Sequence, residues 1–471
     1  MNAFVNSATM APARTANGMK AQTSTGRAVV DLFYNIGALR GKDAVTPFAA
    51  AFGENQELAL RVAAWARDAR GGAGERKVFR DILAYLETRD PAACQALLAK
   101  VPELGRWDDI FVLKTREMKG FAYSMLGDAL REGNGLAAKW TPRKGKIAAE
   151  IRNFFGMSPK QYRKSLVEMT NVVEQKMCAG DWDNINFSHV PSVAAARYKK
   201  AFNRHTPKYA EYVAALVKGT DPKVKVNAGA VYPYDVVKNI NEMTAVEKQL
   251  AQEQWNALPN FVGDANILPM VDVSGSMTTL AGGYTSKSTL TCLDVAVSLG
   301  LYLADKNQGA YNGMFLTFSE SPVLQKLTGG ILDKLGQMQR SKWGMNTNLH
   351  AAFDKVLDVA VKGNVPKADM PKAILILSDM QFDRCARFDD GAYKMIKRKY
   401  EAAGYDMPGI VFWNLNAAYG NAPVSFNAHG VALVSGFSPA IVKPILSGDM
   451  SSMTPEGIML KTIMDDRYKV I

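Results

Sequence analysis

The chain has 471 residues, 48% hydrophobic, 9% aromatic and 22% charged, a balance that fits two or three globular domains and excludes a disordered or collagen-like chain. No apolar run approaches the ~20 residues of a membrane span, and the first 25 residues lack the apolar centre of a secretory signal, so no membrane partner and a cytoplasmic location are expected. The formal charge of +12 is uneven: residues 1–255 carry 37 Lys and Arg against 26 Asp and Glu, whereas residues 256–471 carry 20 against 19.

Residues 1–25, rich in Ala, Ser, Thr and Asn, are expected to form a flexible tail. From there to residue 258 the pattern is helical. Val29, Val30, Leu32, Phe33 and Ile36 recur near the 3.6-residue period, and further helices are expected over 54–69, 75–86, 92–100, 107–114, 120–131, 146–155 and 159–177. Turn residues separate them: Arg70-Gly71-Gly72-Ala73-Gly74, Asp90-Pro91, Val101-Pro102 and Gly133-Asn134-Gly135. Short helices with tight turns predict an all-α helical-repeat array of HEAT-like type over residues 26–258, without a fixed repeat length. The glycine-rich stretch before Glu75-Arg76 lacks the Gly-Lys-Ser/Thr ending of a phosphate loop, and no strand precedes it; it predicts a helix–helix turn.

Most of the basic excess falls between Lys139 and Lys208, with 14 basic and 5 acidic residues. A basic half joined to a near-neutral half points to one half meeting a polyanion. Lys139, Arg143, Lys144, Lys146, Arg163, Lys164, Lys199, Lys200 and Arg204 are the expected phosphate contacts. Trp140, Tyr162, Tyr198 and Phe202 lie beside them; aromatic faces stack bases, although Trp140 and Phe202 are expected to serve the core.

After residue 259 the pattern changes. Apolar runs of strand length alternate with amphipathic helices: 267–273 then 290–306, 313–318 then 331–339, 373–379 then 390–403, and 410–415 then 430–434, with a further helical pattern over 349–361. This alternation predicts a doubly wound parallel sheet covered on both faces over residues 259–471, giving a two-part α plus α/β chain. Ligands of such sheets bind at the carboxyl ends of strands, near a topological switch. Asp272 and Asp379 both stand at such ends.

Asp272-Val273-Ser274-Gly275-Ser276 puts one carboxylate and two hydroxyls on a single loop. Hard oxygen donors of this kind suit Mg²⁺ or Mn²⁺. The four cysteines, Cys94, Cys178, Cys292 and Cys385, and the four histidines, His189, His205, His350 and His429, are far apart, which argues against a zinc site and a disulfide framework. The chain is expected to be no enzyme: no His or Lys stands on the Asp272 and Asp379 loops to move a proton, and two carboxylates are few for two-metal phosphoryl chemistry.

The Asp272–Ser276 loop, Thr347 in Gly344-Met345-Asn346-Thr347-Asn348, and Asp379 after an apolar strand together resemble the metal-ion-dependent adhesion site of von Willebrand factor A domains. The resemblance implies Ser274, Ser276 and Thr347 as direct ligands of the ion. Asp272 and Asp379 would bind directly or through water, and an open position would take solvent or a partner's carboxylate. A helical array followed by such a domain resembles the Ro ribonucleoprotein family, whose helical part is the TROVE module, and more specifically its uncharacterised branch in plants, bacteria and viruses. Residues 70–76, 139–143, 162–164, 182–187, 272–277, 343–348, 378–382, 412–415 and 434–438 carry that resemblance. It implies a ring of helical repeats joined by the A domain, with single-stranded ends of misfolded small RNA entering a basic hole. The expected function is non-catalytic RNA binding. The alternative is a metal-dependent protein-interaction scaffold, of the kind that works beside ring ATPases, without RNA.

Overall fold

The computed structural model describes residues 12–14, 20–170, 172–281, 289–318, 321–341, 349–380, 390–416, 422–447 and 453–471. Its first half is helical. The expected elements form where the apolar period lies, and side-chain caps set their starts. Asn55 Oδ1 accepts the Leu58 N–H at 3.0 Å to open the helix Gln56–Arg67. Asp90, followed by Pro91 at the first turn, opens Pro91–Ala99, and a Ser158/Gln161 capping box opens Pro159–Met169. The helix expected over 159–177 is two, Pro159–Met169 and Val173–Cys178. Thr170 ends the first in extended backbone, and its hydroxyl bonds back to the Leu166 carbonyl. Val45–Glu54, Ser192–His205 and Lys208–Lys218 are helices with no counterpart in the sequence expectations. Among the described residues no helix is long and apolar enough to cross a membrane.

The second half holds a six-stranded sheet: β3 (Ile267–Val271), β4 (Met314–Thr317), β5 (Leu324–Lys326), β6 (Ala373–Ser378), β7 (Gly409–Asn414) and β8 (Val431–Ser435), in the order β5-β4-β3-β6-β7-β8. Five strands are parallel. The all-parallel expectation is corrected at one edge, where β5 runs antiparallel to β4; a three-residue edge strand is too short to show a pattern in sequence. Alternate residues fill opposite faces. Val271, Leu377 and Trp413 pack with the helix Cys292–Lys306, whereas Met270, Ile376 and Phe412 pack with Phe353 and Val356 of Leu349–Lys362 and Tyr400 of Asp390–Ala402. Burial on both faces explains why these strands are continuous apolar runs.

Packing crosses the expected 258/259 boundary. The helix Ala28–Asn35 lies against β8. Ser435 Oγ donates to the Phe33 carbonyl at 3.2 Å, the Gly37 N–H donates to Ser435 Oγ at 3.0 Å, and Tyr34 joins the sheet core with Leu268 and Phe412. At the other end of the chain the Arg467 guanidinium pairs with Asp68 at 2.6 Å and with Glu103 at 2.7 Å. The helix Pro233–Val237 packs on Cys292–Lys306, and Trp255 Nε1 donates to Asp305 at 2.9 Å. The helical path therefore starts and ends on the sheet domain, and one apolar core runs from the first helices into the sheet. A separate apolar cluster, built on Phe187, Phe202, Tyr209 and Val213, sits inside the helical part.

Part of the stretch 1–25, expected as a flexible tail, is paired and buried. β1 (Pro12–Arg14) pairs antiparallel with β2 (Lys20–Gln22), and Gln22 exchanges backbone hydrogen bonds with Ala422 at 2.9 Å. Thr25 is fully buried, and its N–H donates to Asp31 Oδ1 at 2.7 Å. Strand pairing and a buried carboxylate hold a segment whose composition by itself predicts mobility.

Candidate functional site

β3 and β6 are neighbours, but the chain leaves β3 towards β4 on one side and β6 towards β7 on the other. This is the switch point of the sheet, where a crevice opens beyond the strand ends. Asp272 follows β3 and Asp379 follows β6, and they are only 2% and 4% exposed. Asp272 is fixed from three directions. Its N–H donates to the Leu377 carbonyl at 3.0 Å, its Oδ1 accepts the Ser274 N–H at 2.9 Å, and its Oδ2 accepts the Ser378 hydroxyl at 2.5 Å. Ser274 Oγ and Ser276 Oγ are 3.0 Å apart. Met380 takes φ +64°, a left-handed conformation unusual for a bulky residue, and its N–H donates to Ser378 Oγ at 3.0 Å. That turn sets the direction of the chain leaving Asp379.

Burial, then the neighbouring negative charge of Asp379, pushes the Asp272 carboxyl up to about 6. Two carboxylates and two hydroxyls thus stand near one another where burial penalises negative charge, a penalty that a bound small divalent cation would relieve. The donors are all oxygen, the kind that could hold a hard divalent cation such as Mg²⁺ or Mn²⁺; among the described residues no group of three or more His, Cys, Asp and Glu gathers anywhere. Thr347, the remaining expected ligand, lies outside the described residues.

The site has neighbours that the motif does not name. Lys42, from the loop after the first helical segment, donates from Nζ to Asn416 Oδ1 at 3.1 Å and acts electrostatically on Asp379. Asn416 donates to Thr279 Oγ1 at 3.4 Å, which lies 3.7 Å from Cys292 Sγ. Burial pushes the Cys292 thiol up to about 11, so it stays protonated at neutral pH and is no nucleophile. Asn416 and Ser378 stand beside sheet strands and were findable from the strand pattern. Lys42 carries no local signal at all.

The expected phosphate contacts divide by exposure. Arg143, Lys144, Lys146, Arg163, Lys164, Lys200 and Arg204 are exposed. Lys139 is half-buried, paired with Glu174 at 2.9 Å, and Glu174 also accepts from Tyr198 at 3.3 Å. That carboxylate joins the helix Gly135–Trp140 to Ser192–His205. Lys199 is corrected: it is 6% exposed, with no hydrogen-bond partner for its ammonium. It stands four residues after Ala195 and three before Phe202, on the helix face that packs inward. Of the aromatics, Tyr162 and Phe202 are buried at 3% and 1%, and the Arg106 guanidinium covers the Trp140 ring at 3.7 Å. Tyr162 and Phe202 are shielded from solvent, and one face of Trp140 is covered.

Burial, partly offset by Glu247 and Asp235 and reinforced by Lys200, pushes the Lys199 amine down to about 8. The unfolded chain, with a lysine near its usual 10.5, binds more protons than the folded chain between those two values. Stability therefore rises with pH across about 8 to 10. Lys199→Met is expected to flatten that rise, to stabilise the fold at pH 7 by about 1–3 kcal/mol, and to leave RNA affinity unchanged. Urea unfolding at pH 7, 8.5 and 10 checks the first two, and filter binding checks the third.

Two family models match adjoining stretches of the chain. One family model, described as a domain of unknown function (DUF2828), matches residues 136–265, and another, also a domain of unknown function (DUF7788), matches residues 266–468. The uncharacterized protein L728 of Acanthamoeba polyphaga mimivirus is 30% identical, over 92% of this chain and 84% of the viral one. The chain belongs to the same family as this viral protein. Among solved structures, the Ro (RSR) protein of Deinococcus radiodurans aligns over 93% of both chains at 16% identity with a TM-score of 0.37, a level of likeness that fixes neither fold nor function. The family models meet at residues 265 and 266, immediately before β3.

Proposed function

We propose that this chain is a non-catalytic, Ro-like RNA-binding protein of the cytoplasm. It grips single-stranded ends or misfolded small RNA through the basic helical half. The observation that carries the reading is the exposed cation group of residues 143–164, with Lys200 and Arg204, set against a sheet half with almost no net charge. Exposed cations on a helical platform favour phosphate without reading sequence. The test is the salt dependence of RNA binding. Each phosphate contact releases condensed counterion, so a steep decline in affinity is expected and a flat one sinks the reading.

In the same proposal Mg²⁺ or Mn²⁺ sits at the switch point, held by Asp272, Ser274, Ser276 and Asp379, with Thr347 as the further ligand implied by resemblance. The ion's role is structural, or it docks a partner through that partner's carboxylate. A folded-state ligand stabilises by mass action, ~2.7 kcal/mol at a hundred times its Kd. Mg²⁺ is therefore expected to raise the Tm, and Asp379→Asn to abolish the rise while the fold persists. A wild-type Tm that a chelator leaves unmoved overturns this part.

The second reading is a protein-interaction scaffold that works through the metal alone. The burial of the carboxylate pair at the switch point favours it, and the charge asymmetry counts against it. A protein partner that survives nuclease treatment and is lost with Asp272→Ala would select it.

A further inference from the structure

The helices Arg116–Arg131, Gly145–Phe154 and Pro159–Met169 border a half-open cavity of about 500 Å³, within the range of small-ligand sites. Phe154, Phe155 and Tyr162 line it, with Arg131 and Ser165 as polar points. Gly127 gives the cavity width: a Cβ there would stand 3.0 Å from the Phe155 ring. Phe154 is 49% exposed, the one exposed phenylalanine among the described residues. Its ring meets Tyr123 and Phe155 edge-on, each at 5.6 Å between centroids. An aromatic left half in water beside a hollow is poorly used as core, and it is well placed as a stacking platform.

The surroundings are cationic. Arg131 is held at the rim by Asp128, and Arg143 and Arg152 are close enough to act on the Tyr162 hydroxyl, which donates to the Pro142 carbonyl at 2.8 Å. Of the carboxylates on these helices, Glu150 is engaged by Lys119 at 2.8 Å and Tyr123 at 3.2 Å, and Glu168 lies 3.7 Å from Lys164. An uncharged aliphatic guest would gain from the apolar wall but not from the guanidinium groups. A single-stranded nucleic acid uses both, because it carries flat apolar bases on an anionic backbone.

We propose that this cavity receives one unstacked nucleobase of a bound RNA strand, with Phe154 against its face and Arg131, Arg143 and Arg152 beside the flanking phosphates. The proposal rests on the RNA reading above and adds a base-contacting site to it.

The experiment measures anisotropy of two labelled ribose-phosphate oligomers of equal length and charge, one an oligouridylate and the other abasic. The 471-residue wild-type chain is expected to bind the oligouridylate about tenfold tighter, the equivalent of ~1.4 kcal/mol. Ser165→Phe fills the cavity, and Phe154→Ala removes an exposed platform with little disturbance to folding. Each is expected to bring oligouridylate affinity down to the abasic level, with abasic binding unchanged. If the wild type binds both oligomers equally, or if both variants keep the preference for bases, the pocket is overturned and the RNA reading stands. If neither oligomer binds, the RNA reading falls and the pocket with it.

Discussion

Replacing Lys144, Lys146, Arg163 and Lys164 together by glutamate is expected to weaken RNA binding on the order of 10²–10³-fold at moderate salt. All four are exposed; among the described residues Lys164 pairs with Glu168 in a 3.7 Å contact at the surface, worth at most ~0.5 kcal/mol. Folding should therefore be nearly untouched while long-range attraction to phosphate reverses sign. The slope of affinity against salt should also fall, by about one for each phosphate contact removed. Filter binding between 50 and 200 mM salt gives both numbers, with a Tm as the control for folding. Unchanged affinity and an unchanged slope would mean that these side chains form a solvated face and nothing more.

Gly37→Ala is expected to destabilise the chain by about 3 kcal/mol or more. A Cβ at residue 37 would lie 2.2 Å from the Gly436 nitrogen, 2.4 Å from its Cα and 2.8 Å from the Ser435 carbonyl carbon. These are backbone atoms, so no side chain can rotate away. The first helical segment and the end of β8 must separate, and with them go the buried contacts of Tyr34 and Phe33. Gly53→Ala is the control: it lies in the helix Val45–Glu54 with nothing within 4 Å of an added Cβ, so it should be neutral or stabilising by up to ~1 kcal/mol. Denaturant unfolding of the two variants decides the matter. Because the displaced segment also carries Lys42, Gly37→Ala is expected to alter divalent affinity at the switch point, whereas Gly53→Ala is not.

Much of the architecture was legible because burial leaves a period. Strands covered on both faces appear as unbroken apolar runs, and β3, β6 and β7 lie within about a residue or two of where those runs stand, whereas 430–434, in the helix place of the expected alternation, is the strand β8. Asp272 and Asp379 were visible because each ends such a run. Lys199 differs from expectation because it lies in a helix, Ser192–His205, that the sequence expectations do not include. Its spacing from Ala195 and Phe202 puts it on the inward face, and that period was present to be found. Phe154 was overlooked for the opposite reason: periodicity marks aromatics as core, and nothing in the sequence says that a cavity opens beside one. β5 and the pairing of Gln22 with Ala422 left no trace, since three residues are too few to show alternation.

The chain order of residues determined the helical and sheet halves, the positions of the two carboxylates at strand ends and the uneven charge, because each is a local property of composition or period. Only the tertiary structure decided that Ala28–Asn35 closes onto β8, that Lys42 reaches the switch point and that one lysine of the basic stretch is buried. Those outcomes depend on which surfaces meet across hundreds of residues, and contact at that range is governed by shape and packing that no local pattern encodes.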